Sequence, residues 1–268
     1  MESLKEQTKE SKMIGSVLKA IDVLVLLPKS EEGYTVTEIS TLLNQGISAT
    51  YHILNTLRSR DFVEQDKRTK RYKLGPGLLT LCSTNSRQDM IRDLANEYLN
   101  CLTDEFDETS NLMMLVGHDV EYIAQVESKQ FLKMFTKRGA RVPFYCTGGG
   151  KAIFAFKSPQ AQASMLNGLT FKPYTKKTIT SAEQLYKEAA LIRKQGYAMD
   201  MEEREVGVSC IAAPIFDNKS SPVAAISISC PIYRLNTDKQ ERMISSIILA
   251  SRNFSAALGY SDNMVSSQ

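Results

Sequence analysis

The chain has 268 residues, of which 43% are hydrophobic and 24% charged, a length and balance that suit two globular domains better than one. Five cysteines without a C-x-x-C pair and only two histidines, His52 and His118, argue against a disulfide framework, a zinc site and a histidine-based hydrolase. The net charge is only +3, so an argument for nucleic acid must rest on where the cations lie.

The opening MESLKEQTKESK is polar and lacks the apolar core of a signal peptide, and no apolar run approaches the ~20 residues of a membrane span. A cytoplasmic protein with no membrane partner is expected. Residues 1–11 read as a flexible tail. Ser16 is placed to cap a first helix with Val17, Ile21, Leu24 and Val25 on one face, and Pro28 stops it. Thr35-Val36-Thr37-Glu38 is a capping box, in which a hydroxyl and a carboxylate three residues apart each satisfy a backbone N–H. It opens a short helix that turns Ile39, Leu42 and Leu43 inward. Asn44-Gln45-Gly46 is a tight turn, and Ser48 is placed to cap a third helix reaching about Arg60. Two helices joined by a short Gly-containing turn form a helix-turn-helix pattern. Phe62–Gln65 and Arg71–Leu74 follow as short strands around a basic tip, which is the shape of a wing.

A wheel of the third helix puts Ile47, Thr50, Ile53, Leu54 and Leu57 on one side. Ser48, His52, Asn55 and Ser59 lie opposite, beside Ala49 and Tyr51. Such a polar stripe without acids suits base edges in the major groove. Residues 67–73 carry five basic residues in seven, and with Arg58 they put Lys67, Arg68, Lys70 and Arg71 where phosphates could be gripped. Either feature alone is commonly just a solvated face; the ordered sequence of cap, turn, helix and basic hairpin favours duplex DNA. A competing RNA-binding reading lacks an aromatic stacking strip.

From Leu78 to about Phe106 the pattern is helical, with Ile91, Leu94, Ala95, Tyr98, Leu99 and Leu102 at three- and four-residue steps. Beyond it, Asn111–Val116, Glu121–Val126, Leu132–Lys137, Cys210–Phe216 and Val223–Ser229 read as strands. Helices are expected over Lys151–Phe156, Ser181–Gln195 (ended by Gly196) and after Asp238. The pattern is α+β with a mostly antiparallel sheet flanked by helices.

The turn Thr147-Gly148-Gly149-Gly150 precedes a helix, whose positive end and free amides could cradle an anion. A helix-packing turn that binds nothing is the competing reading. A nucleotide P-loop is rejected, because Tyr145 and Ala152 stand where Gly and Ser or Thr are required. Ser227 and Ser229 share one face of their strand by alternation, offering hydroxyl donors suited to a small acid.

The blocks VTEISTLLN, SATYHILNTLRSRDFVEQD, RYKLGPGLL, TGGGKAIFA, IRKQGYAMDMEEREVGVSCIAAPIF and AAISISCPIYRL resemble the IclR family of bacterial transcription regulators over about residues 12–260. The resemblance implies a winged helix-turn-helix over 12–75, a linker helix over 76–88 and a GAF-like effector domain over 89–260, with a flexible tail over 261–268. It further implies no enzymatic activity and no cofactor. The partners it implies are a palindromic double-stranded operator and a homodimer or homotetramer, and the expected action is repression. It places the pocket at Gly148, Gly149, Asp200, Cys210, Ser227 and Ser229, with a small carboxylate as effector. The alternative is an enzyme acting on a small acid, with the N-terminal unit as a docking module.

Overall fold

The computed structural model describes residues 13–82, 87–134 and 137–261. The expected tail over 1–11 lies outside these, as do most of the tail over 261–268 and residues 83–86 of the expected linker helix. Contacts divide the chain into two compact units that meet at Arg87/Gln88.

The first unit contains helices α1 (Gly15–Leu26), α2 (Val36–Leu42), α3 (Ile47–Arg58) and α4 (Gly77–Cys82), and strands β1 (Val63–Gln65) and β2 (Tyr72–Leu74). The strands pair antiparallel, with Glu64 opposite Lys73. The capping box of α2 forms on both sides: Glu38 N–H donates to Thr35 Oγ1 at 3.3 Å, and Thr35 N–H donates to Glu38 Oε2 at 2.7 Å. Val23, Leu26, Leu27, Ile39, Leu54, Leu57, Val63 and Tyr72 form the core.

Four details differ from the sequence expectation. Helix α1 starts after Ile14 with no side-chain cap, and it buries Val23 and Leu26. Val17, Ile21 and Val25 are instead 53%, 50% and 60% exposed, because α1 has a second apolar side and its core-facing turn is the C-terminal one. Helix α3 is capped by Gly46 rather than Ser48, two residues earlier than expected. Thr50 is buried and its hydroxyl donates back to Gly46 O at 3.1 Å, while Ile47 and, on α2, Leu42 face outward.

The second unit is α+β. Strands β3 (Thr109–Val116), β4 (Asp119–Val126), β5 (Arg141–Pro143), β6 (Ala198–Met201), β7 (Val208–Phe216) and β8 (Pro222–Pro231) form one sheet of order β5-β4-β3-β8-β7-β6, every neighbour antiparallel. Helices α5 (Arg87–Phe106) and α9 (Thr237–Ala257) share a core with one face of the sheet, built on Leu99, Leu112, Ile211, Ile226, Ile228, Ile247 and Phe254. Helices α6 (Gly148–Ala155), α7 (Pro159–Leu166) and α8 (Ala182–Gln195) belong to the core on the other face, with Met113, Ala198, Ala212 and Ala225 from the strands. Strand alternation sorts the two sets: Ala224, Ile226 and Ile228 point one way, and Ala225, Ser227 and Ser229 the other.

No strand forms over Leu132–Met134, where Phe131 and Leu132 are exposed; Phe135 and Thr136 lie outside the described residues. The edge position beside β4 is taken by β5. Two elements carry signals that the strand and helix expectations omitted. The pair Ser158-Pro159 caps and opens α7, and β6 is a four-residue edge strand. The glycines of residues 148–150 form the first turn of α6, capped by Thr147, rather than a turn preceding it.

Gly150 has a steric reason. A Cβ there would lie 2.2 Å from Phe144 O and 2.5 Å from Phe144 Cα, both backbone atoms. Gly150→Ala is expected to cost about 1–3 kcal/mol through overpacking. The melting temperature of the second unit should drop by several degrees in calorimetry, at about 2–4 °C per kcal/mol.

Candidate functional site

In the first unit, α3 follows α2 across the Asn44–Gly46 turn, with Asn44 in the left-handed region at φ 49°. Ser48, Ala49, Tyr51 and His52 are exposed along α3, and the Tyr51 and His52 rings meet edge-on at 6.2 Å between centroids. Asn55 is only partly exposed, and its Oδ1 is buried without a partner. Its carbonyl is therefore turned toward the unit, which leaves the amide nitrogen as its outward donor. Arg58 donates to Gln65 Oε1 at 3.3 Å, linking the end of α3 to the wing.

The wing tip is organised by one carboxylate. Asp66 Oδ1 accepts from the Arg68 and Thr69 amides at 2.9 and 2.6 Å and from the Thr69 hydroxyl at 3.0 Å. The Thr69 bonds hold its acid below the usual carboxylate range. Lys67, Arg68 and Lys70 are exposed around this turn. Arg71 is not. Its guanidinium grips Glu38 through two nitrogens at 3.1 and 3.2 Å and donates to Gly33 O at 2.7 Å. Sequence placed Arg71 with the phosphate contacts; the geometry makes it the tether between wing and α2.

In the second unit, strand register gathers the predicted residues. Asp200 pairs with Cys210 across β6 and β7, and Cys210 pairs with Ser229 across β7 and β8. Ser227 lies opposite Asn111 on β3. Gly148, Asp200, Cys210, Ser227 and Ser229 line one cavity with Met113, Tyr122, Met134, Thr147, Arg204, Glu205 and Val208. Gly149 is absent from this lining; it packs toward the sheet, where a Cβ would meet Met113 Cε at 2.1 Å. The cavity has a volume of about 40 Å³, room for about three waters at ~10–15 Å³ each.

The polar groups around this cavity are mostly donors. Ser229 Oγ accepts from Asn111 Nδ2 at 3.2 Å and from the Cys210 thiol at 3.1 Å, which fills both lone pairs and leaves its own hydrogen to donate. Ser227 is fully buried and its Oγ has no partner. At the start of α6, Thr147 Oγ1 takes the Gly150 amide at 3.2 Å. The Gly148 and Gly149 amides are first-turn donors without intrahelical acceptors.

A buried charge network lies behind this wall. Lys151, 1% exposed, pairs with Glu203 and with Glu188 Oε1 at 3.2 Å. The Glu203 amide donates to Asp200 Oδ1 at 2.7 Å. Burial pushes the Asp200 carboxyl up to about 6, against those backbone bonds and the nearby Lys151 and Arg204 charges. Burial likewise pushes Glu203 up to about 7, with Lys151 acting against it. Burial raises the Cys210 and Cys146 thiols, the latter to about 12, so both remain protonated at neutral pH. A thiolate nucleophile is thereby disfavoured. Among the described residues no group of three His, Cys, Asp or Glu side chains could hold a metal ion, and no helix is long and apolar enough to cross a membrane.

Sequence reasoning missed Asn111, Thr147 and Arg204. Thr147 carried a readable signal, a hydroxyl one residue before a helix. Asn111 is visible only through cross-strand register, and Arg204 only through the fold of a loop.

Family models match both parts of the chain: the IclR helix-turn-helix domain over residues 16–67 and the bacterial transcriptional regulator IclR C-terminal domain over residues 83–256. The chain is 33% identical over 257 residues to the HTH-type transcriptional regulator KdgR of Dickeya chrysanthemi, covering 95% of this chain and 83% of that protein. It is 30% identical to the HTH-type transcriptional repressor AllR of Escherichia coli K12, covering 90% and 89%. The crystal structure of the Thermotoga maritima IclR superposes with a TM-score of 0.63 at 33% identity, covering 92% of this chain and all of that one. Coverage and identity agree across both parts of the chain, and the protein belongs to the IclR family of bacterial transcriptional regulators, DNA-binding proteins rather than enzymes.

Proposed function

We propose that this regulator is a repressor whose operator affinity is set by a small carboxylic acid bound against the sheet beside the N-terminus of α6. The observation that carries this reading is Ser227: a fully buried hydroxyl without a partner, lining the same cavity as the spare hydrogen of Ser229. An unsatisfied buried hydroxyl costs about 1–3 kcal/mol, and a carboxylate oxygen would relieve it. The Gly148 and Gly149 amides at the positive end of α6 favour the same charge. Asp200 would accept from an effector hydroxyl, and Cys210 would supply a small wall. The repressor reading is supported by the similarity to AllR, itself named a repressor.

In this proposal residues 12–75 read DNA, 76–88 connect and 89–260 sense, in a cytoplasmic protein. Ser48, Ala49, Tyr51, His52 and Asn55 address the major groove, while Arg58, Lys67, Arg68 and Lys70 address phosphates. The exposed apolar side of α1, with Val17, Ile21 and Val25, is covered by a second copy of the chain. A two-fold dimer then meets a palindromic operator. An effector that binds one arrangement of the dimer better shifts the population toward it, and about 1–3 kcal/mol of coupling gives roughly 5–150-fold control.

The direct test is fluorescence anisotropy on duplex DNA from beside the protein's own gene, with carboxylic acids titrated in. Loss of binding on adding an acid supports the reading; no salt-sensitive binding to any duplex overturns it. Arg68→Ala should weaken binding to all duplexes and reduce the slope of log K against log salt by about 1. His52→Ala should change the preference between operator variants, with the slope intact. Arg71→Ala should lower the melting temperature of the first unit, because it frees Glu38. Ser229→Ala should weaken acid binding in calorimetry and leave acid-free operator binding unchanged.

Proton linkage gives a separate check. Asp200 titrates near 6 when folded and near ~3.9 in an unfolded chain, so the folded state holds the proton more tightly. Its stabilising contribution is present below the unfolded value and is lost as pH rises through about 6. The melting temperature of the second unit should fall from pH 4 toward pH 7, and Asp200→Asn should flatten that fall.

A further inference from the structure

We propose that Arg204 makes the cavity selective for dicarboxylates over monocarboxylates. This rests on the carboxylate reading above and extends it to a second acid group. A carboxylate at the α6 end has the Ser227 and Ser229 hydroxyls and the Gly148 amide as donors from the cavity lining. Arg204 lies outside that set. It stands on a different element, the loop between β6 and β7, and lines the same cavity. Its Nε is buried with no hydrogen-bond acceptor. Its guanidinium lies over the Tyr174 ring, 4.1 Å from the centroid, which fixes the plane of the fork.

The neighbourhood gives this cation no direct ion pair: Asp200 feels the Arg204 charge and takes its backbone amide without coming within ion-pair distance of the guanidinium. Lys151 is met by Glu203 and Glu188. The Asp200 Oδ1 atom is taken up by the Glu203 amide. Glu205 also lines the cavity but is exposed, and among the described residues no carboxylate comes within ion-pair distance of Arg204. A partly buried guanidinium with no ion pair in contact and a buried, unpaired Nε favours an anion that arrives with the ligand, and its planar fork matches a carboxylate bidentately. A hydroxyl or ketone at that end would leave the charge unmatched. The effector class is therefore an aliphatic dicarboxylate, one acid at the α6 end and the other at the loop.

The test is isothermal calorimetry on the full chain with succinate, glutarate and adipate, against their monomethyl esters and butyrate. The esters keep length and shape and remove one charge, so this arm needs no variant. At least one diacid should bind ~10-fold or more tighter than its monoester, the scale of a charge-assisted bidentate bond. Arg204→Gln should erase that preference and leave monoester affinity within about 2-fold, and Arg204→Lys, which keeps charge but not the fork, should fall between. Equal binding of diacid and monoester by the wild-type chain, or a diacid preference that survives Arg204→Gln, overturns the role of Arg204 and leaves the carboxylate reading standing. Absence of binding by every acid in the panel overturns the carboxylate reading and this inference with it.

Discussion

The second unit depends on one close approach: the first turn of α6 lies on the sheet. Alanines at 198, 212 and 225 keep the strand surface low, and glycines at 148–150 keep the helix surface low. A Cβ at Gly149 would collide with Met113, and one at Gly150 with the backbone of Phe144. At this distance Gly148 lines the same cavity as Asp200, Cys210, Ser227 and Ser229 of the strands. The same approach drags Lys151 into the interior, where a lone ammonium could not stay. Glu203 and Glu188 meet it, and Glu203 is anchored through its amide to Asp200. The helix, the base of the β6–β7 loop and the edge strand are thus joined through one set of buried charges. Breaking one member would leave another charge uncompensated.

This arrangement explains why a cavity wall and a charge network share the same few residues. Strand alternation sends the large aliphatic side chains of β7 and β8 toward α5 and α9, which hold that side of the sheet. The small and hydroxylic side chains go the other way. Both faces bury a hydrophobic core, at about 25 cal/mol per Å², and the hydroxylic residues occupy only the part of the second face beside α6. If the proposed effector does control operator affinity, each ligand must change the affinity of the other by the same factor.

Much of this could be read from the chain. The capping box at Thr35–Glu38 and the Gly196 stop are local rules, and local rules need no tertiary information. The alternation of Ile226-Ser227-Ile228-Ser229 already separates core from cavity. What failed were choices between two equally periodic answers. Helix α1 is apolar on more than one side, so spacing alone could not say that Val23 and Leu26 would be inward and Val17 and Ile21 outward. The 132–137 run has strand composition, yet the place beside β4 goes to Arg141–Pro143. Glycine's poor helix propensity disguised the start of α6, where packing overrides propensity. Arg71 belongs to a charge run by sequence and to Glu38 by geometry, 33 residues away. Arg204 gave no pattern at all, since its place beside the cavity comes from where a six-residue loop folds back.

The tether at Arg71 has a consequence for how the wing meets a duplex. A hairpin with such short strands would ordinarily sample many orientations, and docking would have to freeze them at the expense of affinity. Here Arg71 locks the hairpin to α2, and Asp66 fixes the curl of its tip. If the exposed cations meet phosphates as proposed, these contacts would spend part of the ordering entropy during folding rather than at the moment of encounter. In that case a cation at the tip could be exchanged without disturbing the fold of the hairpin, so long as Glu38 and Asp66 behind it stay in place.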